Sequence, residues 1–306
     1  MWGAAPPKAL TRPARVGFHP YGTYRTVAAV ARLLPAPVAN ALARAGGAAA
    51  VGLLPRQRKM LARHLRRVEG GHVDKRRLRR SVRAGFGSYA RYWVDAFRAP
   101  VVSPATLEAG MSVQGLEHVE AAQAAGTGVI LALPHLGGWE FGGRWLGRRQ
   151  PVTAVVEPLE PPELFTWFVE LRQALGLTVV PLGAGAGAAV LQALHRNEVV
   201  VLLSDRDLTG DGVEVDFFGE RTTLPAGPAT LALRTGAALL PAAVYFTPRG
   251  GHHGVIRPPL PATREGRFRD DVTRLTQTLA HELEALIRRA PDQWHLFQPN
   301  WPSDRT

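Results

Sequence analysis

The sequence predicts an α/β fold in which a mainly parallel central sheet is flanked by helices and preceded by basic N-terminal helices. Three observations lead to this prediction. From about residue 110, short β-branched apolar runs alternate with segments of helical periodicity. These runs are apolar almost throughout, as in parallel sheets that are covered on both faces. Before residue 100 the chain shows only helical periodicity and a large excess of arginine.

The elements of this predicted fold follow one another in a regular order. The spacing of apolar residues predicts helices over residues 24–34, 55–68, 75–97, 139–146, 162–175, 186–195, 228–235 and 271–289. Apolar runs rich in β-branched residues predict strands over residues 128–133, 152–157, 178–182, 199–204, 239–246 and 253–257. Strands that alternate with helices in this way indicate a parallel sheet.

Positive charge is concentrated in the first third of the chain. Residues 1–100 hold 20 lysines and arginines against three acids, whereas residues 101–306 hold 17 against 22, so the net charge of +12 arises from the N-terminal third. Such an asymmetry indicates an anionic partner, either phospholipid headgroups or nucleic acid. We expect residues 1–100 to form a basic helical membrane-docking region and residues 101–306 to form the α/β core, joined as one continuous domain.

The predicted helix over residues 75–97 is basic and amphipathic, with apolar residues at spacings of three and four opposite a strip of arginines. This pattern fits both a helix at a membrane interface and an ordinary packed helix with a solvated basic face. The stretch Val27–Leu54 is more apolar, but Arg32 and Arg44 interrupt it and Gly46-Gly47 break its helical pattern. We expect this stretch to be an interfacial or core helix.

Several classes of protein are excluded or disfavoured by what the sequence lacks. It has no cysteine, which excludes disulfides, cysteine nucleophiles and thiolate metal sites. It has no Gly-x-Ser-x-Gly and no His-Glu-x-x-His motif, which disfavours a serine hydrolase and a zinc site. His252-His253 lie beside glycines and are interpreted as a loop, so no metal is predicted. No run of 18 uncharged apolar residues is present that could cross a bilayer.

The strongest candidate for chemistry is the segment Pro134–Glu140, which follows the predicted strand over residues 128–133. His135 leaves the strand end, where α/β sheets place their ligand crevices, and Gly137-Gly138 permits a tight turn before a helix. A histidine in that position can act as a general base near neutral pH, and Glu140 can fix its tautomer and stabilise the imidazolium. The pair predicts removal of a proton from a hydroxyl nucleophile.

Charged residues also follow a second predicted strand. Asp205, Arg206 and Asp207 come directly after the apolar run over residues 199–204. Charged side chains at such a boundary line a crevice more often than they face bulk solvent. Further along, Phe217-Phe218 precede a glycine, which fits two aromatic rings that close a core before a turn.

Two other classes of function remain open from the residues alone. Gly183-x-Gly185-x-x-Ala188 follows a predicted strand and opens a helix, which fits a dinucleotide-dependent enzyme, and Asp205 ends the next strand, as a ribose-binding acid would. This alternative leaves His135 without a role. The basic N-terminal third also fits a non-enzymatic membrane-binding or nucleic-acid-binding protein, although no nucleic-acid-reading signature is present.

Three motifs, in the correct order, resemble those of the lysophospholipid and lipid A late acyltransferase superfamily. They are His-x-x-x-x-Glu at residues 135–140, the acidic strand end with Phe-Phe-Gly at residues 204–220, and the tryptophan-rich tail at residues 291–301. The similarity runs from about residue 20 to residue 301. Within the superfamily, the Asp-Arg-Asp-Leu and Gly-Val-Glu-Val-Asp-Phe-Phe-Gly-Glu stretches are most similar to those of actinobacterial phosphatidylinositol mannoside acyltransferases.

The resemblance implies a glycerol-phosphate acyltransferase-like sheet and an acyl-CoA-dependent O-acyltransferase. The acyl group would pass to a sugar hydroxyl of a membrane glycolipid, such as the mannose 6-hydroxyl of phosphatidylinositol mannoside, without a covalent acyl-enzyme. His135 would be the general base. Acyl-CoA would be a co-substrate, with no cofactor and no metal.

The resemblance also implies roles for residues beyond His135 and Glu140. A second acid would assist the histidine, with Glu214 as the first candidate and Asp205 and Asp207 close behind. Arg172 and Arg206 are expected to bind phosphates of CoA or of a headgroup, because guanidinium makes bidentate contacts to phosphate. The expected substrate-binding residues are Arg172, Asp205, Arg206, Asp207, Phe217 and Phe218. The expected partners are acyl-CoA, a glycolipid acceptor and an anionic phospholipid membrane, not nucleic acid, and the expected location is the cytoplasmic face of the plasma membrane as a peripheral protein.

Overall fold

The computed structural model describes residues 20–71, 73–248 and 250–305, so residues 1–19 of the predicted docking region lie outside the described residues. The described residues form eleven α-helices and nine strands. The helices are α1 (Pro20–Leu33), α2 (Ala36–Leu53), α3 (Pro55–Val68), α4 (Lys75–Arg98), α5 (Pro104–Ala109), α6 (Leu116–Ala124), α7 (Trp139–Gly147), α8 (Pro162–Gln173), α9 (Ala186–His195), α10 (Gly227–Thr235) and α11 (Phe268–Arg289). The strands are β1 (Met111–Gln114), β2 (Val129–Leu133), β3 (Val152–Val156), β4 (Leu177–Pro181), β5 (Val199–Leu203), β6 (Val213–Phe217), β7 (Glu220–Leu224), β8 (Ala238–Phe246) and β9 (His252–Ile256).

Seven of these strands form one central sheet in the order β1-β9-β8-β2-β5-β3-β4. Every neighbouring pair is parallel except β8 and β9, which are antiparallel. The predicted α/β class with a mainly parallel sheet is therefore confirmed. Strand β2 lies between β8 and β5 and is buried along its whole length, which explains why its sequence is an uninterrupted apolar run.

The sheet separates two apolar cores because successive side chains of a strand point to opposite faces. On β2, Ile130 and Ala132 join the core covered by α9, α10 and α11, whereas Val129 and Leu131 join the core beneath α5, α6 and α7. The sheet is thus covered on both sides. Its carboxyl edge, where β2, β3 and β5 end, is the edge that is left for ligands.

Some elements were not predicted. Strands β6 and β7 form an antiparallel hairpin, and neither they nor α5, β1 and α6 lie in a stretch for which an element was predicted. In β6 the burial alternates, with Val215 and Phe217 buried and Glu214 and Asp216 exposed. This period of two is a strand signal, but five residues are too short for a pattern to stand out.

The expected helix break at Gly46-Gly47 is wrong, because both glycines lie inside α2. Gly47 packs against the backbone of α4, where an added Cβ would lie 2.5 Å from the carbonyl oxygen of Phe86 and 2.8 Å from the Cα of Gly87. The missing side chain therefore lets α2 and α4 approach closely. At Gly47, close packing between helices outweighs the low helix propensity of glycine.

The N-terminal helices pack onto the α/β core. Ala28 and Ala31 of α1 and Phe97 of α4 share an apolar cluster with Leu164 and Phe168 of α8. None of the helices within the described residues is both long and apolar enough to cross a bilayer alone. Helices α2 and α3 reach that length and composition only as a pair, bent by 102°.

Candidate active site

The loop between β2 and α7 carries His135 and is fixed by its backbone. Gly137 has a φ of 61° and an added Cβ there would lie 2.0 Å from the carbonyl oxygen of Val244, so only glycine fits. The N–H of Gly138 donates to the same oxygen at 2.9 Å. The loop is therefore attached to β8 immediately after the histidine.

Sheet register brings His135 and Asp205 together. Leu133 at the end of β2 pairs with Leu203 at the end of β5, and each of the two polar residues lies two positions further along its own chain segment. The Nδ1 atom of His135 lies 2.6 Å from Oδ1 of Asp205, and the backbone N–H of His135 donates to Oδ2 at 3.0 Å. A carboxylate in this position fixes the Nδ1–H tautomer and stabilises an imidazolium.

Asp205 is fully buried and accepts a further hydrogen bond from the indole N–H of Trp294, 2.7 Å from Oδ2. Burial alone would raise the pKa of the Asp205 carboxyl. The charge and hydrogen bonds of His135, together with the Trp294 N–H, outweigh burial and hold that pKa below its ordinary value. The carboxylate is therefore ionised beside the imidazole.

The imidazole of His135 has one nitrogen free for a ligand. Nδ1 is occupied by Asp205, and Nε2 makes no hydrogen bond to any described residue. The side chain is 27% exposed and forms part of the wall of a cavity of about 360 Å³. This volume is within the range of small-molecule sites. The arrangement can accept a proton on Nε2 from a group bound in the cavity.

Aromatic side chains, aliphatic side chains and two arginines are among the residues that line the cavity. The aromatic side chains that line it are Tyr89, Tyr92, Trp93 and Trp139. The aliphatic side chains that line it are Val155, Val156, Leu159, Leu182, Val190, Val201, Leu202, Leu203, Leu208, Leu231 and Leu296. Arg172 and Arg206 also line it, and Arg206 forms an ion pair with Glu157 at 2.7 Å. A long apolar group with a charged end fits such a lining.

Glu140 does not contact His135, which corrects the expected pairing of these two residues. Its carboxylate lies buried in the first turn of α7 and accepts hydrogen bonds from Nε and Nη2 of Arg172, at 3.0 and 2.7 Å, and from the hydroxyl of Tyr92 at 3.4 Å. Burial would lower the pKa of Arg172, but the charge of Glu140 and the interactions with Tyr92, together with the hydrogen bonds to both, outweigh burial and raise that pKa. Glu140 therefore holds Arg172 in the cavity wall, and Asp205 makes the contact expected of Glu140.

Glu214 also lies away from the histidine. It is exposed on the β6–β7 hairpin, forms an ion pair with Arg221 at 2.9 Å, and lines a different depression from the one that contains His135. Among the three acids considered for assisting His135, the structure brings Asp205 into contact with it.

The other candidates support the site or its rim. Asp207 lines the cavity and accepts the backbone N–H groups of Thr209, Gly210 and Gly212, so it shapes the loop after β5. Phe217 and Phe218 are buried against Trp294 and Trp301, behind Asp205 rather than in the cavity wall. These rings close the core, which is the structural alternative considered for them.

Some residues at the site were not singled out from the sequence. Tyr89 and Trp93 belong to the apolar face of α4, which was predicted to contact a membrane or the protein core, yet both line the cavity together with Tyr92. Trp294 and His295 were noted only as part of a tryptophan-rich tail. A tryptophan in a polar, irregular segment indicates a buried side chain, but it does not indicate which residue that side chain contacts.

The dinucleotide alternative is not supported by the fold. Gly183 and Gly185 follow β4, which is the edge strand of the sheet, whereas a dinucleotide-binding glycine loop follows a central strand. Within the described residues, no group of three or more His, Cys, Asp or Glu side chains could hold a metal ion.

Comparison with known proteins agrees with the resemblance seen in the motifs. A family model described as bacterial lipid A biosynthesis acyltransferase matches residues 21–303. Phosphatidylinositol mannoside acyltransferase of Mycobacterium tuberculosis is 43% identical over 227 residues, covering 72% of this chain and 70% of the relative, and the Mycolicibacterium smegmatis protein of the same name is 43% identical, covering 73% of each. Lipid A biosynthesis palmitoleoyltransferase of Escherichia coli is 26% identical over 264 residues, covering 85% of this chain and 84% of the relative. The chain belongs to the family of bacterial lipid A biosynthesis acyltransferases.

Proposed function

We propose that this acyltransferase transfers a fatty acyl group from acyl-CoA to a sugar hydroxyl of a membrane glycolipid, with the mannose 6-hydroxyl of phosphatidylinositol mannoside as the preferred acceptor. The observation that carries the proposal is the His135–Asp205 pair at the wall of a largely apolar cavity. The 43% identity to relatives named phosphatidylinositol mannoside acyltransferase supports the choice of acceptor.

In the proposed reaction His135 acts as the general base. Its Nε2 takes the proton of the sugar hydroxyl while the oxygen attacks the thioester carbonyl carbon. The C–S bond then breaks, and the imidazolium returns the proton to the departing thiolate, so the products are the ester and free CoA. Asp205 stabilises the imidazolium that forms between these steps. No covalent acyl-enzyme is required.

The cavity wall supports a placement for each substrate part. The aliphatic side chains contributed by β3, β5, α9 and α10 fit the acyl chain. Arg206 is paired with Glu157, whose side chain is 39% exposed, so this ion pair lies towards solvent. Only Nη2 of Arg206 contacts Glu157, so a phosphate of CoA that offers oxygens to two N–H groups would compete with Glu157 for the guanidinium. Arg172 is held by Glu140 in the cavity wall and would face the acceptor.

We further propose that the protein docks as a peripheral protein on an anionic membrane, at the cytoplasmic face, through α1 and α2. Seven of the nine large apolar side chains that are exposed in the described residues lie between Val27 and Leu54. Helices α1 to α3 also carry exposed arginines, among them Arg25, Arg44 and Arg58. Exposed apolar and basic side chains on the same helices are typical of interfacial helices on anionic lipid.

The experiment that tests the proposal measures thiol release from palmitoyl-CoA by the purified protein, with and without phosphatidylinositol mannoside. We expect acceptor-stimulated release and an acylated glycolipid with the wild type, and loss of both with His135→Ala, which should still fold. Stimulated release that survives in His135→Ala would contradict the mechanism. Stimulation by acyl carrier protein thioesters but not by palmitoyl-CoA would contradict the choice of donor.

A further inference from the structure

The C-terminal segment over residues 291–304 contacts the loop over residues 134–138, the catalytic loop of the proposed reaction, at His135 and at Gly137. The N–H of Gly137 donates to the carbonyl oxygen of Gln293 at 2.9 Å, and the N–H of His295 donates to the carbonyl oxygen of His135 at 2.7 Å. Leu136 and Trp294 pair in an antiparallel bridge between these two bonds. The segment therefore lies along the catalytic loop as a short strand would.

This arrangement directs the indole of Trp294 at Asp205. The side chain is completely buried, and its ring packs against Phe217, Phe218 and His64, so the ring has little room to turn. Its Nε1–H donates to Oδ2 of Asp205 at 2.7 Å, a short distance for an N–H donor. Trp294 is thus a fixed hydrogen-bond donor behind the carboxylate.

The two oxygens of Asp205 have different tasks. Oδ2 accepts the N–H groups of Trp294 and of the His135 backbone, whereas Oδ1 faces Nδ1 of His135. Two donors on Oδ2 fix the plane of the carboxylate and leave Oδ1 for the imidazole. Loss of one of them would let the buried carboxylate rotate or take up a proton.

We propose that Trp294 is a positioning residue for acyl transfer, which acts on His135 through Asp205 and does not touch the substrate. The inference rests on the proposed function of the His135–Asp205 pair. It extends that function by assigning the C-terminal segment a part in catalysis, since this segment delivers the indole N–H to the site.

Trp301 provides a matched control for a merely structural tryptophan. It is 1% exposed, belongs to the same aromatic cluster, and donates its indole N–H at 3.2 Å to the carbonyl oxygen of Phe217. Replacement of either indole by a phenyl ring removes a similar buried surface and one hydrogen bond. Only the Trp294 bond ends on Asp205.

The test compares the wild type, Trp294→Phe and Trp301→Phe in the thiol-release assay with phosphatidylinositol mannoside as acceptor. For Trp294→Phe we expect kcat to fall by about tenfold to a hundredfold, the range for loss of a hydrogen bond to a charged group, with KM for both substrates within about twofold. We expect the acid limb of its pH profile to move up by about one unit, because the lost donor stabilises the charged form of Asp205. Trp301→Phe should keep the wild-type profile.

Two further measurements keep the outcome decisive. In the Asp205→Asn background, adding Trp294→Phe should lower kcat by less than about a further threefold. The side chain at position 205 then no longer carries the charge that the indole N–H stabilises. If Trp294→Phe does not fold, 3-benzothienylalanine at position 294 removes the N–H at almost unchanged ring shape. Equal kinetics and equal pH profiles for the two tryptophan variants would overturn the proposal. Absence of His135-dependent transfer in the wild type would instead overturn the proposed function.

Discussion

The chemistry of this site depends on which acid contacts His135. Asp205 is buried and lies 2.6 Å from Nδ1, whereas Glu214 is exposed on a hairpin and paired with Arg221. Glu140 is buried as well, but its charge is balanced by Arg172. A carboxylate that is ionised, buried and in contact with the imidazole stabilises the imidazolium far more than an exposed one, because water screens the latter.

Substitution of these acids separates their roles. We expect Asp205→Asn to lower kcat by about a hundredfold to ten-thousandfold, because the amide neither fixes the required tautomer nor stabilises the imidazolium. Glu214→Gln should stay within about twofold, as a surface ion pair contributes little. Steady-state kinetics of acyl transfer provide the measurement. If Glu214→Gln lowered kcat strongly while Asp205→Asn stayed active, Glu214 rather than Asp205 would be the acid that assists His135.

At the scale of elements, helix α10 begins at the cavity. Gly227 is its first residue and lines the cavity, and an added Cβ would have no atom within 4 Å. A side chain at this position would extend into the space that we assign to the acyl chain. Because the position does not require a positive φ, a larger residue can be introduced without backbone strain.

A leucine at position 227 should shorten the acyl chain that the enzyme prefers. We expect Gly227→Leu to lower the ratio of kcat/KM for palmitoyl-CoA to that for dodecanoyl-CoA by about tenfold or more, the effect of a few methylene groups in an apolar pocket. Gly266→Leu is the control, since Gly266 also has open space around its Cα but does not line the cavity. An unchanged ratio in Gly227→Leu would place the acyl chain elsewhere.

Helix α3 holds the C-terminal segment through a buried ionic cluster. The two ring nitrogens of His64 lie 3.0 Å from the carbonyl oxygen of Leu296 and 3.1 Å from Oδ2 of Asp304. Asp304 also pairs with Arg67 at 2.8 Å. Burial would raise the pKa of Asp304, but the hydrogen bond from His64 and those from the backbone hold it well below its ordinary value.

This cluster makes stability depend on pH. Because the folded-state pKa of Asp304 is depressed, its contribution is present above the unfolded-state pKa of about 4 and is lost as the pH falls below it. We expect Asp304→Asn to lower the free energy of unfolding at pH 7 by about 3 kcal/mol. Between about pH 5 and pH 2 the free energy of unfolding of this variant should fall less steeply than that of the wild type. Urea unfolding at a series of pH values measures this. The exposed Asp216→Asn is the control, and an equal slope in Asp304→Asn and wild type would contradict the account.

At the scale of the whole molecule, positive charge and exposed apolar side chains lie in the same helices. The net charge of residues 1–100 is positive, and Leu33, Leu42 and Leu53 of α1 and α2 are 84%, 57% and 79% exposed. Helix α2 is apolar on nearly every side, yet only Ala39, Ala43 and Gly47 are buried against the protein. A helix of this kind needs an apolar surrounding on its outer face.

Binding to vesicles tests this surface. We expect Leu42→Asp to weaken sedimentation with phosphatidylglycerol vesicles by about tenfold or more, because it removes one exposed leucine that would enter the bilayer and adds a charge. Binding of the wild type should fall as salt is raised, since the arginines contribute through screened attraction. Val101→Asp is the control, because Val101 is 58% exposed but lies outside α1 and α2. Equal losses in the two variants would remove α2 from the docking surface.

Much of the molecule was determined by local sequence. The α/β class and most strands and helices followed from periodicity, because a buried parallel strand and an amphipathic helix leave different spacings of apolar residues. Short elements such as β1, β6 and β7 were not predicted, because four or five residues are too few to show a clear periodic spacing of apolar side chains. The position of His135 at a strand end was also predicted, because the apolar strand before it and the glycines after it can be recognised from neighbouring residues alone.

Only the tertiary structure decided which residues meet His135. Glu140 is five positions away and was the nearer choice in sequence, but the first turn of α7 places it beside Arg172 and Tyr92. Asp205 and Trp294 reach the site through the pairing of β2 with β5 and through the bridge between the catalytic loop and the C-terminal segment. Strand order and the path of that segment follow from the packing of the whole core, and no local spacing of residues encodes them.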